Sequence, residues 1–305
     1  MAGPFTIVGL GEAVFDVFPD KEVLGGTSLN VAVQAHQLLS PMNGRGVLLS
    51  RIGNDDLGRR LQEEFQKRNL PLDYVQMDND HPTGQVLVSF EGDAPRFEIV
   101  VDTAWDLLQF TEHEAALARQ CHAVSFGSMS QRHPVAHKST QAFLAEAKEA
   151  LKIFDVNLRM DLFTAEILEE GCRVANLMKL NDEELPTVAE LLEIHEGDAR
   201  RRTEAIREKY DLDAVIFTRG KQGTAAATRE GWLEGVPANF PAAPNSDTVG
   251  AGDACTATLL TARLLNRDWQ AALDLANRHA AYVASQPSAT PKLPVEVWAE
   301  YGLVS

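Results

Sequence analysis

The segment Asp247-Thr248-Val249-Gly250-Ala251-Gly252-Asp253 combines residue types that suit an anion and a proton transfer in one place. Gly250 and Gly252 flank a small alanine, so the backbone there can approach a ligand and turn its N–H groups outward. After Asp253, the apolar residues Ala254, Ala257, Leu259, Leu260, Leu264 and Leu265 recur at helical spacing. A glycine turn that opens a helix binds anions well, because first-turn N–H groups lack internal partners and the helix dipole favours negative charge. Asp253 is out of keeping with a bound phosphate unless it works as a base. A carboxylate that takes a proton from a hydroxyl beside a phosphoryl group fits that position. The plainer role is the first-turn acid of a helix.

Other polar residues fall at the ends of apolar runs. Asp16 interrupts Val14-Phe15-Asp16-Val17-Phe18, which leaves it either on the solvent face of a strand or aimed into a polar pocket. Gly25-Gly26 precedes a helix expected from about Asn30 to Leu39, and Asn30 suits either a pair of sugar hydroxyls or a helix cap. Asp55 reads as a helix cap or as the lining of a pocket. Arg159 follows Asp155-Val156-Asn157-Leu158 and suits either a transferring phosphoryl group or a rim ion pair. Asn181 and Glu184 are three residues apart, a spacing shared by a capping box and by a pair holding hydrated Mg2+.

Two familiar motifs are excluded. Gly9-Leu10-Gly11 lacks the third glycine of a dinucleotide fingerprint, since residue 14 is Val14. Gly220-Lys221 is followed by Gln222 and lacks the upstream glycine of a phosphate-binding P-loop.

The elements that must position these residues alternate. Strands are expected at Phe5–Gly9, Val47–Ile52, Ala123–Gly127, Lys152–Asn157, Ala175–Leu180 and Ala214–Thr218, with helices between them. Helices are expected at 134–150, from about Asp198 to Tyr210 and from Gln270 to about Ser285. Gln85–Phe90 and Arg96–Val100 read as a hairpin turning through 91–95, and Thr224–Thr228 with Trp232–Val236 as another. This order predicts an α/β chain with a doubly wound, mostly parallel sheet flanked by helices. The first hairpin is an insertion in that pattern.

The 305 residues suffice for one large α/β domain or two small ones. The net charge of −16 argues against nucleic-acid or anionic-membrane binding, so phosphate must be held by local donors and metal. Three cysteines, Cys121, Cys172 and Cys255, show no metal-ligand spacing and fit a reducing cytoplasm. The N-terminal region has no basic segment, and Glu12 and Asp16 break its apolar run, so neither a signal peptide nor a membrane helix is expected.

Five of these stretches, in order, resemble the PfkB family of ribokinase-like carbohydrate kinases. They are Gly25-Gly26-x-x-x-Asn30-x-Ala32, Gly53-x-Asp55-x-x-Gly58, Asp155-x-Asn157-x-Arg159, Asn181-x-x-Glu184 and Asp247-Thr248-x-Gly250-Ala251-Gly252-Asp253. Cys255 and Thr258 stand where the family usually has Phe and Gly. The resemblance implies one ribokinase-like domain over 1–305, with a β lid formed by about 12–22 and 83–101. It implies ATP and Mg2+ as cofactors, a monovalent cation such as K+ as a third, and a small sugar as acceptor. Asp253 is then the base, with Gly250, Ala251 and Gly252 around the phosphoryl group. Asp16, Gly26, Asn30 and Arg159 are expected at the sugar. Asn181, Thr218, Arg219, Gly220, Gly223 and Ala289 are expected at the nucleotide, and Glu184 with Asn181 at Mg2+ through water. Gly11-Glu12-x-x-x-Asp16-x-Phe18-Pro19 looks most like fructokinases, which makes fructose the expected acceptor. Ribose, a nucleoside, 2-keto-3-deoxygluconate and a non-catalytic sugar or nucleotide sensor are the alternatives. Pairing of lids in a homodimer is a further family trait.

Overall fold

A computed structural model describes residues 4–91, 94–195, 197–294, 296 and 299. Gly92 and Asp93, expected in the hairpin turn, lie outside the described residues. Along the chain, β1 (Thr6–Leu10), β2 (Val14–Val17) and β3 (Glu22–Gly25) precede α1 (Thr27–Leu39). Then come β4 (Arg45–Gly53), α2 (Asp56–Lys67) and β5 (Val75–Asp78), and the hairpin β6 (Gly84–Glu91) with β7 (Ala94–Ile99). The middle alternates through α3 (Glu112–Gln120), β8 (Ala123–Gly127), α4 (Pro134–Glu146), β9 (Leu151–Asp155), α5 (Ala165–Val174) and β10 (Leu177–Asn181). After α6 (Glu184–Leu191), α7 (Ala199–Lys209) and β11 (Ala214–Thr218) come β12 (Thr224–Thr228), β13 (Gly231–Glu234), α8 (Ala251–Leu264) and α9 (Trp269–Ala284).

Among the described residues the larger sheet has nine strands in the order β13-β12-β11-β10-β9-β8-β1-β4-β5. It is parallel from β5 to β11, and β12 runs antiparallel to both β11 and β13. Its central strands are apolar on both faces, as strands covered twice must be. One face packs α3 to α7 through Leu117, Phe143, Leu168, Val188 and Ile206. The other packs α1, α8 and α9 through Val31, Ala35, Leu259, Leu260 and Leu273. The sheet is therefore doubly wound, as the alternation predicts.

The winding reverses at β1, which pairs with β4 on one side and β8 on the other. Ligands bind α/β sheets at such a reversal, beyond the carboxyl ends of the strands. The smaller sheet has the order β3-β2-β6-β7 and rises from the same end, because β2 follows directly after β1. Its root is fastened by Asp55, which accepts hydrogen bonds from the Gly58 N–H at 2.8 Å and from the Thr83 N–H at 2.8 Å. The helix-cap reading of Asp55 is thus the one realised.

Two helix boundaries differ from expectation. α1 starts at Thr27 rather than near Asn30, because its first turn is capped from a distance: the Thr27 N–H donates to Glu12 Oε1 at 2.9 Å. No local residue signals that start. α4 stops at Glu146 instead of 150, where Ala147 leaves the helical conformation so that the chain can enter β9.

All three cysteines are free and buried, Cys121 and Cys172 on one face of the sheet and Cys255 on the other. Burial pushes the thiols of Cys121 and Cys172 up to about 12 and that of Cys255 up to about 11. Among the described residues no helix is long and apolar enough to cross a membrane.

α1 lies unusually close to β1. A Cβ on Gly9 would sit 2.0 Å from the Ser28 carbonyl oxygen, a backbone atom that cannot swing away. Gly9→Ala should therefore lower stability by about 1–3 kcal/mol, as overpacking does. Urea unfolding of the variant measures the loss, and a midpoint equal to that of the parent would refute the close approach.

Candidate active site

Asp253 sits in the first turn of α8, three residues past Gly250. Gly250 has φ +81°, and a Cβ there would lie 2.3 Å from the Ala289 carbonyl oxygen. Only glycine fits both the left-handed backbone and that contact. Among the described residues the N–H groups of Gly250 and Gly252 have no acceptor, and Gly252 is exposed. The Ala251 N–H differs from expectation, because it donates to the Thr248 carbonyl at 3.3 Å and closes the turn. Two amides of the turn, not three, are therefore without an acceptor among the described residues. They coincide with the positive end of α8, an arrangement that suits an anion.

The Asp253 carboxylate is held from across the molecule. Asn30 Nδ2 donates to Asp253 Oδ2 at 2.8 Å, joining α1 to α8. Asn30 is buried and its Oδ1 has no partner, a costly arrangement for an acceptor unless a donor arrives with a ligand. Asn30 is not the cap of α1, because Glu12 serves there. Glu12 Oε1 takes the Thr27 N–H, and Oε2 takes the Ser28 hydroxyl at 3.2 Å. Burial raises the Glu12 carboxyl above the usual range, against the lowering effect of those donors. Burial also raises Asp253, to about 7, with the Asp155 charge adding to the rise and the Asn30 bond and Lys179 opposing it. A carboxylate with that value changes charge in the range where a general base is most effective.

Asp155 and Lys179 lie behind this carboxylate. Asp155 ends β9, and Lys179 belongs to the neighbouring β10. Lys179 Nζ donates to both carboxylate oxygens of Asp155, at 2.9 and 2.7 Å. The Thr256 hydroxyl of α8 donates to Asp155 Oδ2 at 2.9 Å. Burial disfavours the ammonium, yet Asp155 outweighs it and holds Lys179 well above its ordinary value. Lys179, Thr256 and Glu12 were not among the residues expected at the site. The signal for Lys179 is plain in retrospect: it is a lone charge inside the apolar run Leu177-Met178-Lys179-Leu180.

Asp16 is half-buried in β2, and its Oδ2 lies 3.4 Å from where a Gly25 Cβ would project. Burial raises its carboxyl, and the charge of Arg159 opposes the rise. Asp16 is therefore partly withdrawn from solvent and within the field of Arg159. Arg159 is exposed and donates to its own neighbour, the Leu158 carbonyl, at 3.0 Å. Gly26, at φ +107°, stacks its backbone on Glu12 and Ala13. Asn157 Nδ2 donates to the Thr27 hydroxyl at 2.7 Å, so β9 is tied to the start of α1.

Asn181 and Glu184 form a reciprocal pair. Asn181 Oδ1 accepts the Glu184 N–H at 2.8 Å, and Glu184 Oε2 accepts the Asn181 N–H at 2.9 Å. The geometry is that of a capping box. Glu184 Oε1 also accepts the Leu158 N–H at 3.0 Å, which ties this pair to the Arg159 segment. The box uses single lone pairs and leaves others on both carboxylate oxygens.

Thr218 ends β11, and the loop after it contains Arg219, Gly220 and Gly223, with Gly220 and Gly223 at φ +52° and +78°. Its far side is closed by Asn277, whose Oδ1 accepts the Thr224 N–H at 2.9 Å. The Thr218 hydroxyl donates to the Leu180 carbonyl at 3.4 Å, and Arg219 is paired with Glu234 at 3.2 Å. Ala289 reaches the site through its backbone, which packs on Gly250 and accepts from Gln34 Nε2 at 3.0 Å. Thr258 is occupied by His279, at 2.7 Å between hydroxyl and Nδ1, and lines the α8–α9 contact.

The chain is similar to known proteins over most of its length. A family model described as "pfkB family carbohydrate kinase" matches residues 10–296. A fructokinase of Salmonella typhimurium is 28% identical over 84% of this chain and 84% of its own. An aminoimidazole riboside kinase of the same species is 26% identical over 87% of this chain and 82% of its own. The solved fructokinase of Xylella fastidiosa with bound ATP superposes with a TM-score of 0.80 at 23% identity, covering 97% of this chain and 98% of that one. With its reversed sheet, its glycine turn and its match over nearly the whole length, the chain belongs to the pfkB family of carbohydrate kinases.

Proposed function

We propose that this sugar kinase transfers the γ-phosphoryl group of ATP to a hydroxyl of fructose, with Asp253 as the base. One observation carries the reading: a carboxylate raised to about 7 is held by Asn30 beside a helix-opening turn with two amides that have no acceptor among the described residues. Fructose is favoured among sugars by the Salmonella fructokinase and by the run Gly11-Glu12-x-x-x-Asp16. The ATP bound in the Xylella fructokinase supports the choice of donor.

In this reading the acceptor hydroxyl lies between Asp253 and the nucleotide. Asp253 Oδ accepts its proton as the oxygen attacks phosphorus. The Gly250 and Gly252 amides meet the charge on the equatorial phosphoryl oxygens. Asp16, Gly26, Asn30 and Arg159 orient the sugar, and the smaller sheet closes over it to keep water from the nucleotide. Thr218, Arg219, Gly220, Gly223 and Ala289 line the nucleotide side.

Among the described residues no three His, Cys, Asp or Glu side chains form a metal cluster. Asn181 and Glu184 alone suit an ion that keeps most of its water and phosphate ligands, as Mg2+ does. The burial that raises the Glu184 carboxyl would be relieved by such a cation nearby. Bound Mg2+ supplies charge neutralisation between the phosphates.

Release of ADP from ATP, measured with fructose, ribose, aminoimidazole riboside, adenosine and 2-keto-3-deoxygluconate, should be fastest with fructose. A better acceptor among the others would overturn the substrate, and no ADP with any of them would favour a sensor. Asp253→Asn should fold, bind both ligands and lose about 10²–10⁴-fold in kcat; a loss under about tenfold rules out the base. The ionised carboxylate is the active form, and its value is raised to about 7. kcat/KM should therefore fall as pH drops through that value and level off above it. An acid limb positioned at the ordinary carboxylate range instead would contradict the assignment.

A further inference from the structure

Four carboxylates converge on the closed end of the site: Glu12 beyond β1, Asp155 at the end of β9, Glu184 at the start of α6 and Asp253 on α8. The cation recorded among them is Lys179, buried to 6% exposure in β10. Its ammonium lies 3.5 Å from the point where a Cβ on Gly252 would project. It therefore sits against the glycine turn, on the buried side of Gly252. Two of its protons go to Asp155, and Asp155 is tied through Thr256 to the same first turns of α8. Ammonium, carboxylate and hydroxyl thus form a chain that runs from β10 through β9 into the helix bearing Asp253.

An apolar pair would fill this space at lower cost, because burying two charges is expensive even when they are well paired. The pair gains a purpose if its field is used. A buried positive charge under an anion turn acts in a low dielectric, where it is worth far more than a surface lysine. It also opposes the repulsion that Asp155 and Glu12 exert on Asp253.

We propose that Lys179 is a positioning residue for the transfer: from beneath the Gly250–Gly252 turn, and anchored by Asp155, it supplies the positive charge against which Asp253 and the incoming phosphoryl group are held. The inference rests on Asp253 as the base. The groups facing Asp253 are Asp155 from β9, Lys179 from β10, Glu12 from the β1–β2 connection and Asn30 from α1, with Cys255 on α8 itself and Glu184 behind the pair. The two members of the pair act on Asp253 with opposite sign, since Asp155 raises its carboxyl and Lys179 lowers it. Their removal must displace the acid limb of activity in opposite directions, an outcome that loss of packing does not produce.

The test measures kcat, KM for sugar and for ATP, and the pH profile between about pH 5.5 and 9. The proteins are the parent, Lys179→Met, Lys179→Arg, Asp155→Asn, the Lys179→Met/Asp155→Asn double variant and Asp253→Asn, each checked for folding by circular dichroism. Lys179→Met is expected to move the acid limb up by about one unit and to cut kcat by about tenfold or more, with KM for sugar little changed. Asp155→Asn is expected to move the limb down, and Lys179→Arg to recover part of kcat. A folded Lys179→Met with an unmoved limb and kcat within about threefold overturns the proposal. Should Lys179→Met not fold, the double variant decides, because it removes the pair without stranding a charge. A double variant as active as the parent means the pair is structural and overturns the proposal; one that folds and stays slow supports it. If neither folds, the pair is required for the fold and the proposal is overturned. Active Asp253→Asn would sink the base itself, whereas an inactive Asp253→Asn beside an unaffected Lys179→Met would sink only the role of Lys179.

Discussion

The hydrogen bond from Asn30 to Asp253 holds together two helix N-termini that are 223 residues apart in sequence. α1 and α8 lie on the same face of the larger sheet and present their positive ends to one cleft. A cleft with two such ends attracts anions although the chain as a whole carries a charge of −16. The same bond restrains the Asp253 carboxylate, and its position depends on how closely α1 lies against β1. The close approach at Gly9, the capping of α1 by Glu12 and the left-handed turn at Gly250 are all conditions for that one contact.

Negative charge is concentrated where the chemistry needs little of it. Three carboxylates lie near Asp253 or near its neighbours, and each is restrained by donors: Glu12 by α1, Asp155 by Lys179 and Thr256, and Glu184 by backbone amides of two segments. The restraint holds these carboxylates in place, while the charges of Asp155 and Glu12 add to the burial that raises Asp253. The protonation of Asp253 is thus set by a balance among distant strands rather than by Asp253 alone.

The doubly wound sheet was legible because the β/α alternation and the apolar strands both depend on local pattern. The glycine turn and Asp253 were legible because backbone conformation, helix start and charge coincide within seven residues. What escaped was long-range. Glu12 caps a helix that starts 15 residues later, and nothing near Thr27 announces it. Asn30 reads as a sugar ligand or a local cap, and nothing local signals that its amide donates across the molecule to Asp253 while Oδ1 stays open. Lys179 passed as one polar residue in a strand because its partner belongs to a different strand. Asn181 and Glu184 had two readings at one spacing, and the capping geometry is present in full, which a pattern of residue types cannot separate from metal binding. Ala251 shows the limit of composition: its amide closes the turn that its neighbours leave open.

The three buried thiols give the molecule a clock of its own. Two lie under the helices on one side of the sheet and one under those on the other, and all are far too weakly acidic to react while covered. Alkylation can proceed only through excursions that lift a helix layer, so the rate at which each sulfur is modified times the breathing of its own side. Because Cys255 follows Asp253 by two positions, its labelling would slow whenever an occupant of the cleft clamps α8, and ligand affinity could be read without any turnover.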